Sequence, residues 1–97
     1  MRKKRHIEIV YCTQCRWLMR AAWMAQELLS TFEGIIGGVS LIPGTGGIFE
    51  VRCGSRLLWS RVKERRFPEI SELKRIVRDH IAPGMSLGHS EEKARKF

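Results

Sequence analysis

Between residues 6 and 32 the chain changes its period with almost no linker, and this switch limits the fold more than any other feature. Residues 6–11 read HIEIVY: Ile7, Ile9 and Tyr11 alternate with His6, Glu8 and Val10, the period of two that buries one face of a strand. From residue 16 to residue 32 the period becomes helical. Leu18, Ala21, Ala22, Ala25, Leu28, Leu29 and Phe32 recur at spacings of three and four and predict one apolar helix face. The segment is rich in Ala, Leu, Met, Arg, Gln and Glu, all good helix formers, and Glu33-Gly34 closes it. The strand runs directly into Cys12, and Cys15 stands where the helical period begins.

The rest of the chain supplies partners for this unit. Residues 35–42 form a second extended stretch, loosened by Gly37-Gly38, and residues 43–47 (PGTGG) read as a loop. A strand–helix–strand unit takes a right-handed crossover with parallel strands. Residues 48–53 and 56–60 flank Gly54-Ser55, which fits a type II′ hairpin placing Cys53 opposite Arg56 and Val51 opposite Leu58. Residues 61–66 are a charged connection. Pro68 can open a last helix from about Glu69, with Ile70, Leu73, Ile76, Val77 and Ile81 inward, until Pro83-Gly84 stops it. The order β-α-β-β-β-α predicts an α/β fold (an α+β sandwich) with helices on a four-stranded mixed sheet, the minimal thioredoxin-like arrangement. The chain has 97 residues, enough for one modest core. The expected division is a single domain over residues 1–84 and a polar tail over residues 85–97.

Three cysteines, at 12, 15 and 53, are an odd number for a disulfide framework. Residues 1–5 are basic, but residues 7–10 are too short for a signal's apolar stretch and contain Glu8, and no run of 18 apolar residues occurs. The expected location is the cytoplasm, away from membranes. In a reducing compartment, two cysteines two residues apart point to redox chemistry or to a metal.

A structural zinc site needs four ligands; here only Cys53, His6, His80 and His89 could join the pair, and no second pair follows, so no metal is expected. At a strand-to-helix junction, the free amides and dipole of the helix N-terminus favour thiolate, and Arg16 and Arg20 add positive charge. Cys12 and Cys15 are therefore the candidate catalytic pair. Cys12 is read as the attacking thiol and Cys15 as the one that resolves the mixed disulfide. The candidate substrate-binding set is Tyr11, Thr13 and Gln14 around the cysteines, Trp17 as an apolar lip, and Gly46 and Gly47. Those glycines occupy the loop that sits beside the cysteines in thioredoxin-like folds. Cys53 shares a strand face with Phe49 and Val51 and reads as a core thiol. His80 reads as a structural histidine, and Trp23 and Trp59 as packing residues.

The net charge of +8 admits a second reading, a basic module that binds nucleic acid or an acidic protein and uses the cysteines as a switch. The basic residues are scattered, so this reading is not favoured.

Taken together, YCTQC (residues 11–15), IPGTGGIFEV (residues 42–51) and FPEISELKRIVRDHIAPG (residues 67–84) resemble the selenoprotein W-like family, related to selenoproteins T and H. The LGH at residues 87–89 is similar to bacterial members, and the resemblance spans residues 7–89. It implies a thioredoxin-like fold and a thiol redox role acting on a protein thiol or disulfide, possible oxidoreductase activity, and no bound cofactor, with glutathione as candidate co-substrate. Selenium-containing members carry selenocysteine at the place of Cys15, which implies that Cys15 is the reactive position, against the reading from helix geometry.

Overall fold

The computed structural model describes residues 4–88. It contains β1 (Arg5–Cys12), α1 (Leu18–Thr31), β2 (Ile36–Gly44), β3 (Phe49–Cys53), β4 (Arg56–Ser60), α2 (Arg61–Glu64) and α3 (Ile70–Ile81). The sheet order is β2-β1-β3-β4, with β1 parallel to β2 and antiparallel to β3, and β3 antiparallel to β4. This is the thioredoxin-like arrangement expected from the two periods, with one short helix added.

Alternation does what the strand pattern predicts. Ile7, Ile9 and Tyr11 of β1 and Phe49, Val51 and Cys53 of β3 are buried on the face that receives the helices. Helix α1 lies on β1 and β2, α3 lies on β4, and the two helices touch. Ala21, Met24, Ala25 and Leu28 of α1 meet Leu73 and Val77 of α3 in one core, and Phe32 follows from the end of α1. Removing a side chain as fully enclosed as Phe32 or Leu28 costs about 3–5 kcal/mol. Where the helices meet, Lys74 Nζ donates to Glu27 Oε1 at 2.9 Å. No helix among the described residues is long and apolar enough to cross a membrane.

Five local expectations change. Helix α1 starts at Leu18, not at residue 16, because residues 13–16 form a turn and Arg16 takes a left-handed φ of 60°. Leu18, Leu29 and Trp23 are exposed; the apolar arc of α1 is wider than the strip the sheet covers. Strand β2 continues through Pro43 and Gly44, which pair with Tyr11 and Cys12; as an edge strand it tolerates a proline. The hairpin turn places Cys53 opposite Arg56 as expected, with Gly54 at φ 60°. A bulge between Val51 and Arg52 then sets Val51 opposite Trp59 instead of Leu58.

The charged connection, finally, contains α2, whose N-cap Ser60 accepts from the Lys63 amide at 3.3 Å. Helix α3 begins with a reciprocal Glu69–Glu72 capping box. Beyond the expected domain limit at residue 84, Met85 and Leu87 still pack against the core. His89 and the rest of the C-terminal segment lie outside the described residues.

Candidate dithiol site

The end of β1 and the turn after it hold the two sulfurs. Cys12 is the last residue of the strand, 1% exposed, while Cys15 is exposed in the turn. The Cys15 thiol donates to Cys12 Sγ across 2.6 Å, and both thiols are free. The turn is fastened to β2: the Thr13 amide and Thr13 Oγ1 both donate to the Gly44 carbonyl, at 3.0 and 3.2 Å. The Trp17 and Arg16 amides close it onto the Cys12 and Thr13 carbonyls, at 3.4 and 3.0 Å.

These contacts divide the protons unequally. The thiol hydrogen bond from Cys15 holds Cys12 below the usual thiol range; burial opposes it, and the amides of Gly47, Cys15 and Gln14 add to it. Cys15 is pushed up, first by its bond to Cys12, then by desolvation and the charge on Cys12, with the Gly47 amide and Arg61 pulling the other way. Of the two thiols, the buried one is therefore the more acidic. The donors belong to the turn and to Gly47, not to a helix N-terminus, since α1 starts three residues after Cys15. That corrects the dipole argument made from the sequence.

Gly47 is the hinge of this arrangement. Its amide serves both sulfurs, its φ of +77° favours glycine, and a Cβ there would sit 3.2 Å from Arg61 Nη2. Its carbonyl accepts from Arg61 Nε at 3.2 Å. The Arg61 guanidinium also stacks over Trp17, 4.9 Å from the ring centroid. Trp17 meets Phe67 edge-on at 4.9 Å and Phe49 at 6.4 Å. Arg20 lies 4.0 Å over the Phe67 ring.

Of the residues read from the sequence, the fold thus brings together Cys12, Cys15, Thr13, Trp17, Gly47 and the Gln14 amide. Tyr11 is 8% exposed in the core and supports β1 from below the site. Gly46 shapes the loop at φ +73° with nothing within 4 Å of its Cβ direction. Sequence reasoning missed Arg61 and Phe67. The available signal was Ser60, an N-cap residue type ahead of a short helical run, which aims Arg61 at the glycine loop. Among the described residues no three of His, Cys, Asp and Glu gather as metal ligands.

Comparison with known proteins bears on the family and the fold. The Rdx family profile matches residues 6–79. A crystal structure of a Bordetella parapertussis protein is 55% identical, covering 80% of this chain and 99% of that one with a TM-score of 0.79. A crystal structure of a selenoprotein W-related protein from Vibrio cholerae is 51% identical, covering 81% of this chain and 99% of that one, also with a TM-score of 0.79. A comparison with curated proteins gave no match.

Proposed function

Because the chain belongs to the Rdx family, which includes selenoprotein W-related proteins, we propose that it exchanges dithiol for disulfide through Cys12 and Cys15. The observation that carries this reading is the inequality of the two sulfurs. Cys15 is exposed and its thiol is pushed up; Cys12 is buried and its thiol is held down. Exposure favours Cys15 as the sulfur that meets the substrate, the reverse of the order read from the sequence.

As Cys15 attacks a disulfide RSSR′, its proton passes to the Cys12 thiolate, a Cys15–S–S–R bond forms and R′S⁻ leaves. Cys12 then yields that proton to R′S⁻, attacks Cys15 Sγ and releases RS⁻, which takes a proton from water. Two electrons pass from the dithiol to the substrate, which departs as two thiols. In the reverse direction a thiol attacks the exposed Cys15 sulfur, and Cys12 leaves easily because its thiol is the more acidic.

The surroundings favour a protein or peptide disulfide over a bare small molecule. Met19 of α1 is 84% exposed and Val62 of α2, next to Arg61, is 64% exposed, leaving apolar side chains in solvent on the helices that adjoin the site. Glutathione is then the natural reductant or co-substrate in the cytoplasm, where unpaired thiols persist.

The test is trapping. Cys12→Ser should accumulate a mixed disulfide on Cys15, seen by intact-mass analysis after mild oxidation with glutathione disulfide, and Cys15→Ser should accumulate far less. A redox titration of the unaltered chain should give one two-electron transition confined to Cys12 and Cys15. No adduct on either variant together with no reversible transition would overturn the reading.

A further inference from the structure

At the opposite end of β1 from Cys12 and Cys15 lies a concavity of about 400 Å³, lined by Arg56, Leu57 and Leu58 of β4 and by Ile76, Asp79 and His80 of α3. This volume is within the range of pockets that hold small organic ligands. Its chemistry is split. Leu57, Leu58 and Ile76 give an apolar wall, and Arg56 and His80 give a polar end.

The polar lining is Arg56 and His80 together with one carboxylate, Asp79. Arg5, the first residue of β1, donates from Nη2 to His80 Nε2 at 2.8 Å. A guanidinium can only donate, so Nε2 is unprotonated and the imidazole is neutral, with its proton on Nδ1. Burial and the charges of Arg5 and Arg56 hold the ring's titration below the ordinary imidazole range. The pocket's one carboxylate, Asp79, takes a hydrogen bond from Arg78 Nε at 2.8 Å. Among the described residues the other ion pairs are Arg52–Glu50, Arg66–Glu72 and Lys74–Glu27, so neither Arg5 nor Arg56 has a carboxylate there. Arginine is suited to a planar oxyanion, which it can grip with two parallel N–H bonds.

We propose that this pocket binds a small organic anion, a carboxylate carrying an apolar body. The carboxylate meets Arg56 and the Arg5–His80 pair, and the body lies along Leu57, Leu58 and Ile76. The site is separate from the thiol chemistry and does not depend on it.

Octanoate is the probe. Titrated into the reduced, ¹⁵N-labelled full chain, it should produce saturating amide shifts centred on residues 56–58 and 76–80. Octanamide, the same body without charge, and acetate, the charge without the body, should each bind at least about tenfold more weakly, the loss expected when a charge-assisted contact or an apolar wall goes unused. Arg56→Gln should weaken octanoate by about tenfold while its Cys15 alkylation rate stays at that of the unaltered chain, which shows the fold intact. The proposal is overturned if octanoate gives no saturating shifts at these residues, or if octanamide or acetate binds as tightly. It is equally overturned if a folded Arg56→Gln chain binds octanoate unchanged.

Discussion

Strand β1 joins two ends of the molecule that use positive charge in opposite ways. Seven steps at ~3.3 Å per residue put Arg5 roughly 23 Å from Cys12. At the Cys12 end the positive groups serve one of the protein's own thiols: amides of Gly47, Gln14 and Cys15 lower its pKa, and Arg61 is tied to the Gly47 carbonyl and the Trp17 ring. At the Arg5 end the cations meet a neutral imidazole and an apolar wall, and the nearby carboxylate leans on Arg78. A net charge of +8 is therefore not one property of this chain. Part of it is turned inward to tune a thiol, and part is left for a solute to neutralise.

The largest effects should respect this division. Cys15→Ser should reduce disulfide exchange to background in a turnover assay yet leave the octanoate titration unchanged, and Arg56→Gln should do the converse. Loss of both functions in both variants would mean that the two ends are not independent.

Next comes Gly47→Ala, which forces a Cβ into the left-handed region and against Arg61 Nη2. Chemical denaturation should show a loss of about 1–2 kcal/mol. The pH profile of thiolate absorbance at ~240 nm should show the Cys12 thiol titrating higher, because the displaced amide no longer faces the sulfur.

Smaller again is Arg61→Gln. Thiolate formation at Cys15 should become harder and exchange should slow by roughly 2–5-fold, the scale of one partly exposed charge. Arg61→Lys sharpens the point. It keeps the charge but loses the fork on Gly47 and the stacking on Trp17, so a lysine variant as slow as the glutamine one would assign the effect to position over charge.

The smallest effect belongs to the far end. His80 is held below the ordinary imidazole range by burial and by Arg5 and Arg56, so the unfolded chain binds its proton more readily. Its contribution is complete above about pH 6.5 and is lost as the pH falls below that value. Thermal melts between pH 7.5 and 5.5 should show stability falling with pH, and His80→Gln should flatten part of that slope.

Much of the scaffold was legible because period is a local signal. The alternation of residues 6–11, the Gly54-Ser55 turn and the apolar stripe of α3 each identify an element without reference to the rest of the chain. The glycine loop could be set beside the cysteines because the order of elements matched a thioredoxin-like fold, in which that loop lies there. What escaped depends on how elements meet. The helical spacing of Leu18 reads smoothly across residues 13–16, so nothing announced that Arg16 leaves the helix for a left-handed conformation. Leu18 and Leu29 satisfy the same spacing as Leu28, yet they lie on the flank the sheet does not reach. The bulge after Val51 arises from cross-strand fit. Arg61 enters the site only because α2 turns it back toward a loop fourteen residues earlier. The burial of Cys12 beside an exposed Cys15 escaped for the same reason, since it is a property of the assembled sheet.

The remaining cysteine has a practical consequence. Cys53 sits 2% exposed opposite Ile7 in the centre of the packed layer, apart from the exchange chemistry. Any reagent that labels it must wait for the sheet to separate from its helices. In a single time course of thiol labelling, Cys15 thus registers the reactivity of the site while Cys53 keeps time on the opening of the whole molecule. The chain carries its own internal clock for unfolding, readable by mass and without an added probe.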